Sequence, residues 1–388
     1  MKYFYFLIFI LAVSCSKSDS NVNNTKTSVF SGCDSIKKNL IVTTYKDSVR
    51  LSSCFILSHI DSLYLFPNNF VNKISTIAGN GTEISAGDGG QAINSSLYHP
   101  RYLSLDRRNG DIFVQDQGTG IRKISSAGII TTVVKFGANL GAVNGFTFDS
   151  LGNYYFTIQD VANGSVIKKV SQTGVITKIA GDGYNLAYAG DGSSALNVSL
   201  NFPTNILVDN SNNIIFYDQG NGVVRKINTS GIISTLNSTK IFYGTDLKYD
   251  TKSGDLYLST TTSSSSDTYQ IWRISSDGTT TRIAGGKLNS YENGAKAIDT
   301  RIFCDAMFLD DNGNIYFSDL QHHQIYKIFK SGIIYLIAGT GEKGFSGDGG
   351  NALSATLNWP FGITMDKNGD IYFSDMMNNR IRKITIAK

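Results

Sequence analysis

The amino-acid sequence predicts an all-β fold, and its composition and recurring turns are the observations behind that prediction. Of the 388 residues only 17% are charged and 11% are aromatic, while glycine is abundant at 39 residues and proline is scarce at 4. Aromatic-rich strands joined by tight turns produce such a composition, and helical or disordered chains do not. Short β-rich runs such as NIYFSD and DIYFSD recur along the chain. This recurrence predicts a repeat architecture.

Each repeat is marked by an aspartate that ends its first strand. A glycine, or Asn212 in the third copy, follows three or four residues later and leads into the second strand. An aspartate side chain accepts hydrogen bonds from nearby backbone N–H groups in a turn, and glycine or asparagine tolerates positive φ there. We therefore predict a structural role for these six residues, which are Asp106, Asp149, Asp209, Asp250, Asp310 and Asp366.

A third and a fourth strand complete each repeat. The third strands place a polar or basic pair between apolar residues, as in IRKI, VRKI and IYKI, and a turn such as SSAG leads into the fourth strand. Four antiparallel strands per repeat, at spacings of 41 to 60 residues, predict a six-bladed β-propeller. The last repeat stops after its third strand, and residues 72–79 carry the missing fourth-strand pattern, so we predict that the two segments pair and close the ring. The blades are predicted to start near residues 100, 143, 203, 244, 304 and 360.

The repeat sequence resembles a known family. The last copy reads PFGITMDKNGDIYFSDMMNNRIRKI, and linkers such as IAGTGEKGFSGDGGNALSATLNWP share GDG, a following alanine and a terminal proline. These residues closely resemble the NHL repeat, and the resemblance covers residues 71–388. Pro100, Pro203 and Pro360 occupy the same position in their repeats. The second and fourth copies have no proline there, and the fifth copy has Cys304.

The resemblance to NHL proteins implies mainly interaction roles. Some six-bladed relatives are metal-dependent lyases or lactone hydrolases that use histidine and acidic ligands in the central channel, and some eukaryotic NHL proteins bind RNA. The formal net charge of this chain is only +4 and is scattered along the sequence. A nucleic-acid footprint needs lysine and arginine clustered on one face, so we expect no nucleic-acid partner.

The first fifteen residues predict the compartment. MKYFYFLIFILAVSC has one lysine, an apolar run too short to span a hydrocarbon core of about 30 Å, and a small residue before Cys15. Its ending, LAVSC, resembles a bacterial lipobox, which implies cleavage before Cys15 and diacylation of the thiol. The alternative is an ordinary secretory signal in which Cys15 is incidental. We expect a signal peptide at 1–14, a flexible tether at 15–28 and a small N-terminal region at 29–70, all belonging to a lipid-anchored protein of the cell envelope.

Three further cysteines lie beyond the lipobox. In an oxidising compartment Cys33 and Cys54 are the candidates for a disulfide that closes a short loop. Cys304 stands alone among the repeats, and we expect it to be a buried free thiol that acts as a small hydrophobic residue.

Function is expected on one face of the ring. A four-stranded meander sends alternate connections to opposite faces, so the Asp–Gly turns and the SAG-type turns share one face, here called the turn face. The loop face collects the long linkers, the loops between second and third strands, and the mouth of the central channel. Variable loops on a rigid scaffold, with converging polar and aromatic groups, are typical of ligand sites. The predicted ligand-binding residues are Arg101, Tyr102, Asn205, Asp246, Asp305, Phe361, His99 and His322.

The histidines discriminate between binding and catalysis. Catalytic zinc takes about three protein ligands, commonly histidine, and this chain has four histidines in all. His99, His322 and Asp305 could together form a zinc-ligand set on geometric grounds. We nevertheless predict no metal, no cofactor and no catalytic residue. The run GTGEKG at 339–344 fits GxGxxG, yet it precedes a linker rather than the helix whose N-terminus would bind phosphate.

The sequence therefore predicts a non-enzymatic binding module that recognises a protein, peptide or glycan through its loop face. We expect a monomer that contacts the membrane only through its lipid anchor. The alternative function is a metal-dependent lyase or lactone hydrolase of the six-bladed propeller type.

Overall fold

The computed structural model describes most of the repeat region. The predicted signal peptide, the tether, the lipidation site Cys15, the pair Cys33 and Cys54, and the small N-terminal region lie outside the described residues. Within the described part, no helix is both long and apolar enough to cross a membrane. The described residues are 72–386, except 138–139, 161–163, 184–189, 238, 262–268 and 287–290.

Six antiparallel sheets follow one another along the chain, and the six-bladed all-β propeller predicted from the sequence is confirmed. Inner strands of neighbouring blades contact one another around the central channel from blade 2 to blade 6 and from blade 6 to blade 1. Each blade continues outward through a second, a third and an outer strand. In order from blade 1 to blade 6, the inner strands are β2 (Leu103–Asp106), β6 (Ala142–Phe148), β10 (Pro203–Val208), β14 (Gly244–Tyr249), β19 (Ala306–Leu309) and β23 (Pro360–Met365). The second strands are β3 (Asp111–Asp116), β7 (Tyr154–Asp160), β11 (Ile214–Asp218), β15 (Leu256–Thr261), β20 (Ile315–Asp319) and β24 (Ile371–Asp375).

The third and outer strands carry the chain to the rim of each blade. The third strands are β4 (Gly120–Ile124), β8 (Gly164–Val170), β12 (Val223–Ile227), β16 (Tyr269–Ile274), β21 (Gln324–Ile328) and β25 (Arg380–Thr385). The outer strands of blades 1 to 5 are β5 (Ile130–Lys135), β9 (Ile176–Ala180), β13 (Ile233–Thr235), β17 (Thr280–Gly285) and β22 (Ile333–Ala338). Single turns of 3-10 helix occur in the linkers and loops at Ala92–Asn94, Ala195–Asn197, Gln219–Asn221, Ala297–Asp299, Ala352–Ser354 and Met376–Asn378.

Blade 6 takes its outer strand from the other end of the described chain. This strand is β1 (Lys73–Ala78), and it pairs antiparallel with β25, with Ile74 opposite Ile384. Ala78 belongs to the apolar cluster that also contains Val114 of blade 1. The pairing covers the edge of β25, which would otherwise expose unpaired backbone groups to other chains.

Blade 5 differs from the predicted four strands per blade. A two-residue strand, β18 (Ala295–Lys296), joins the outer edge of β22 and makes this sheet five-stranded. In three other blades, one linker residue forms a single β-bridge to the outer strand or to the turn before it. In blade 5 the linker pairs with the outer strand over two residues. Those bridges are Gln91 to Ile129, Ser194 to Ile232 and Asn351 to Lys73.

The apolar core lies between neighbouring blades. Ile121 of blade 1 and Phe156 of blade 2, for example, are both fully buried in one cluster. Cys304 is a free cysteine that is fully buried beside Met307, as the sequence predicted, and burial raises the pKa of its thiol. Such a thiol packs as a small hydrophobic residue and is a poor nucleophile.

Blades 1, 3 and 6 share a buried arginine triad. A fully buried arginine of the third strand lies between the aspartate that ends the second strand and the aspartate of the GDG linker. The guanidinium pairs with these carboxylates, and in blades 1 and 6 it also donates to linker carbonyls, so it ties the linker to the sheet. The guanidinium-to-linker distances are 2.8, 2.9 and 2.7 Å, and those to the second-strand aspartate are 3.3, 3.7 and 3.4 Å, for the triads Arg122–Asp88–Asp116, Arg225–Asp191–Asp218 and Arg382–Asp348–Asp375.

Candidate binding site on the loop face

The turn face is occupied by the six repeat aspartates. Each carboxylate accepts a hydrogen bond from the backbone N–H two residues later, at 2.8–3.0 Å. These bonds close the turns between inner and second strands, so the carboxylates serve the local structure. The residues concerned are Asp106, Asp149, Asp209, Asp250, Asp310 and Asp366.

On the loop face, Arg101, Tyr102 and Phe361 form one cluster where blades 1 and 6 meet. The guanidinium carbon of Arg101 lies 4.8 Å from the ring centroid of Phe361 and 5.5 Å from that of Tyr102. Gly362 N and Ser374 Oγ donate to the carbonyl of Arg101, at 3.2 and 2.7 Å, and fix it against blade 6. Arg101 Nε is buried and has no hydrogen-bond partner among the residues that the structure describes.

Asp305 lies just before the inner strand of blade 5 and is almost fully buried. Its two oxygens accept hydrogen bonds from Tyr269 Oη and Leu320 N, each at 3.0 Å. Burial raises the pKa of Asp305 to about 6, the charge of Asp319 adds to the rise, and the charge of Arg101 opposes it. Asp305 thus changes its charge close to neutral pH.

Asp246 lies at the junction of blades 4 and 5. It accepts from Met307 N of the next blade and from Lys248 Nζ, both at 2.8 Å. Burial raises the pKa of Tyr102 to about 12, the charge of Arg101 opposes that rise, and the charges of Asp246 and Asp305 add to it. These four groups therefore act on one another electrostatically at the channel.

Asn205 has a structural part in the ring. Its backbone is left-handed, with φ 43°, and its Nδ2 donates to the carbonyl of Thr245 at 3.2 Å, which joins blades 3 and 4. Thr245 Oγ1 in turn donates to the carbonyl of Cys304 at 2.9 Å and joins blades 4 and 5. Of the predicted ligand-binding residues, Asn205 and Asp246 use their polar groups mainly to hold blades together.

Four bulky residues surround the channel mouth in a left-handed conformation that sequence reasoning missed. Three of them, Phe202, Tyr243 and Trp359, directly precede the first residue of an inner strand, and the fourth lies a few residues before one. Those three side chains are 38, 48 and 41% exposed. A left-handed backbone is rare for bulky residues and marks strain. The sequence signal is an aromatic residue just before the proline or glycine that opens the blade, in YHP, NFP, FYG and NWP. The φ angles are 42°, 52°, 60° and 56° for His99, Phe202, Tyr243 and Trp359.

The histidines make separate local contacts. His99 Nε2 lies 2.8 Å from Glu83 Oε1, and its ring stacks on Tyr98 with centroids 4.4 Å apart. His322 Nδ1 lies 2.9 Å from Asp319 Oδ2, and this hydrogen bond is the main cause of its raised pKa. In the described part of the chain, no three His, Cys, Asp or Glu side chains form a group that could hold a metal ion.

A cavity of about 310 Å³ opens beside His322 in blade 5. Asp319 is its buried carboxylate, and four of its ten lining residues are phenylalanine or tyrosine. Tyr269, whose hydroxyl donates to Asp305, has its ring 5.6 Å from that of Phe303 in the cavity lining, so the cavity lies close to Asp305. Besides His322 and Asp319, the lining includes Arg301, Phe303, Phe317 and Tyr326.

The sequence is similar to NHL domains of teneurins. The Teneurin NHL domain family matches residues 67–141. Teneurin-4 of Mus musculus is 25% identical over 366 residues, which cover 83% of this chain and 12% of that protein. Teneurin-1 of Homo sapiens is 25% identical over 376 residues, which cover 82% of this chain and 13% of that protein. The chain spans about an eighth of the length of these curated relatives.

Solved structures share the fold at low sequence identity. A protein of unknown function from Bacteroides thetaiotaomicron superposes with a TM-score of 0.61 at 18% identity, covering 82% of this chain and 76% of that chain. An auxiliary nutrient binding protein of the same species gives a TM-score of 0.61 at 16% identity, covering 82% of this chain and 78% of that chain. With the six blades and their repeated Asp–Gly turns, these similarities identify the chain as a six-bladed β-propeller built from NHL-type repeats.

Proposed function

We propose that this propeller is a non-enzymatic binding module whose loop face binds a protein, peptide or glycan. The observation that carries the proposal is the set of strained bulky residues that precede the inner strands, Phe202, Tyr243 and Trp359 among them, on the face that also carries the cluster of Arg101, Tyr102 and Phe361. Each left-handed residue costs about 1–3 kcal/mol, and such strain concentrates at ligand-binding sites. Exposed aromatic rings offer stacking surfaces, and the guanidinium offers a charged anchor, as at many recognition surfaces.

The fold of one neighbour agrees with this proposal. The Bacteroides thetaiotaomicron protein of the same fold is an auxiliary nutrient binding protein, so this scaffold carries a binding function in another chain. The alternative of a metal-dependent lyase or lactone hydrolase needs about three converging metal ligands. The rings of His99 and His322 lie instead against two different carboxylates, those of Glu83 and Asp319.

Peptide and glycan arrays test the proposal when probed with wild type and two double variants. We expect Tyr243→Ala with Trp359→Ala to weaken binding of the wild-type ligands at least about tenfold, because one buried aromatic anchor is worth about 2 kcal/mol or more. The matched control is Leu151→Ala with Val175→Ala, which removes two exposed apolar side chains from the turn face. The control is expected to bind as wild type does. Equal loss in both double variants, or undiminished binding by the loop-face variant, would contradict a loop-face site.

We further propose that the chain is anchored to the bacterial cell envelope through Cys15. The support is the lipobox-like run LAVSC followed by a polar tether. In bacteria fed an alkyne-tagged fatty acid, the wild-type chain is expected to take up label and to sediment with membranes. Cys15→Ala is expected to lose both properties, whereas Cys304→Ala keeps them. Label retained by Cys15→Ala would show that this thiol is not the anchor.

A further inference from the structure

Blade 5 lacks the buried arginine triad but keeps its second-strand aspartate, Asp319. Tyr326 lies opposite Phe317 across the β20–β21 pair, in the register where Arg225 lies opposite Phe216 in blade 3. Tyr326 therefore occupies the position of the buried arginine. The sequence contrast is IYKI in blade 5 against VRKI in blade 3.

The linker aspartate of the triad is also replaced in blade 5. Asn293 Oδ1 accepts a hydrogen bond from Leu336 N at 2.9 Å. Asp88 Oδ2 makes the corresponding bond in blade 1, from Thr132 N at 3.0 Å. Asn293 thus stands where the charged linker residue stands in blade 1, and the blade-5 position carries no charge.

A third change places a histidine against Asp319. In blade 3, Asn221 Nδ2 donates to Asp218 at 2.8 Å, three residues along the chain. His322 holds the same relation to Asp319 through Nδ1, at 2.9 Å. His322 is half-exposed while Asp319 is buried. The carboxylate that a buried guanidinium neutralises in three blades is therefore covered here by a side chain that solvent reaches.

The cavity of about 310 Å³ lies where the triad would be. Phe317 and Tyr326 stack with centroids 5.2 Å apart and an interplanar angle of 18°. Phe303 adds a third ring, 4.6 Å from the ring of His322. A buried carboxylate between aromatic walls suits a flat cation, because the carboxylate accepts its N–H donors and the rings stack on its plane.

We propose that this cavity binds a guanidinium group, presented as an arginine side chain of a peptide or protein ligand. The inference rests on the proposed loop-face binding function and names the chemistry recognised there. The ligand's guanidinium takes the place of the arginine that blades 1, 3 and 6 supply from their own third strands. It donates to Asp319 and displaces the imidazole of His322 toward solvent.

One cation at the cavity opposes such a ligand. The guanidinium carbon of Arg301 lies 4.9 Å from the ring centroid of Phe303. Its like charge repels an entering guanidinium, whereas it would attract an anionic ligand. The variant Arg301→Gln therefore reports the sign of the ligand's charge.

Titration calorimetry of the full chain with Nα-acetyl-arginine methylamide tests the proposal. We expect the isosteric but uncharged citrulline analogue to bind at least tenfold more weakly than the arginine probe. Asp319→Asn is expected to lose tenfold or more, and Arg301→Gln is expected to gain affinity. Asp277→Asn, a change in an exposed turn of the neighbouring blade 4 on the turn face, is the control and is expected to bind as wild type does.

Asp319 also accepts the backbone N–H of His322, at 2.9 Å, so its replacement can disturb the local fold. Tyr326→Arg avoids that difficulty, because it restores the residue that three other blades carry and fills the cavity from within. We expect this variant to melt at or above the wild-type temperature and to bind no arginine probe. Probe binding retained by Tyr326→Arg would overturn the proposal.

The guanidinium inference and the proposed function fail in different ways. If array ligands still require the loop-face aromatics but the arginine probe does not bind, or binds no better than the citrulline analogue, the inference is wrong and the binding module stands. Weaker probe binding by Arg301→Gln would also overturn it, because the cavity would then favour an anion. Array ligands that depend on Asp319 and contain arginine would support it.

Discussion

At the residue scale, the charge of Asp305 makes the loop face sensitive to pH. Its folded pKa of about 6 lies above its ordinary value of 3.8, because burial disfavours the carboxylate. A group with a raised folded pKa contributes stability that is complete below its unfolded pKa and is lost as pH rises through its folded pKa. We therefore expect wild type to lose about 1–3 kcal/mol of unfolding free energy relative to Asp305→Asn between pH 4 and pH 7.

Urea unfolding of both chains at several pH values measures this difference. Comparing the two chains cancels the titration of other groups, including Asp375, whose pKa burial also raises to about 6. An asparagine at 305 keeps one acceptor for Leu320 N and offers its amide to Tyr269 Oη, so the hydrogen-bonded contacts persist. A stability difference that stays constant with pH would contradict the raised pKa of Asp305.

Trp359 illustrates which residue-scale features local rules do not predict. A residue before proline is normally extended, yet Trp359 precedes Pro360 and has φ 56°. The loop around it is fixed by distant partners, since Asn358 N donates to Asp375 Oδ1 at 2.7 Å and Met376 N donates to the carbonyl of Trp359 at 3.2 Å. These contacts override the local preference, so the orientation of the ring toward the loop face depends on the neighbouring strand.

At the scale of strands and linkers, the buried arginine triad is the device that holds a blade to its linker. Arg382 is fully buried and bonds Asp348 at 2.7 Å, while Arg107 and Asp311 form an exposed pair at 2.9 Å. Removing one partner of a buried ion pair costs about 3–5 kcal/mol, because it leaves an uncompensated buried charge. Exposed pairs contribute about 1 kcal/mol or less.

We therefore expect Arg382→Met to lower the free energy of unfolding by about 3–5 kcal/mol and Arg107→Met to lower it by less than about 1 kcal/mol. Guanidinium chloride unfolding followed by tyrosine and tryptophan fluorescence measures both. If the apolar methionine instead leaves stability unchanged at both sites, the triad does not hold the linker in the way its geometry indicates.

In the third strands, the sequence predicts the alternation of side chains but not which face is buried. The sequence predicts a polar or basic pair between apolar residues, and strand alternation requires the two members to point to opposite faces. In β25 the first member, Arg382, is fully buried, and the second, Lys383, is a quarter exposed and bonds Asp370. Which face is inside depends on the adjacent linker, which brings its aspartate over the arginine. The change from arginine to Tyr326 was visible in the sequence, but its meaning required knowing that this position is buried.

At the scale of the whole molecule, β1 links the two ends of the described chain. Its fully buried Ile74 lies opposite Ile384, and its partner β25 would otherwise have a bare edge. Deleting residues 72–79 is expected to lower the free energy of unfolding by at least the roughly 2–5 kcal/mol that loss of one buried isoleucine costs, and to increase aggregation. Deleting residues 16–28 of the predicted tether is the control and is expected to leave the unfolding midpoint unchanged. An identical midpoint after deletion of 72–79 would show that β1 does not stabilise the ring.

The sequence by itself determined the architecture. Six aspartates, each followed by a glycine or asparagine, form the same turn. Such a turn depends on residues adjacent in sequence, so it can be predicted from the sequence. Only the tertiary structure decided what the loop face offers: the left-handed aromatic residues, the raised pKa of Asp305 and the cavity beside Asp319. Each depends on burial, or on a partner from another strand or blade, and those distances are set when the blades pack together. The loop face was predicted as a surface, and its chemistry emerged from contacts between residues far apart in sequence.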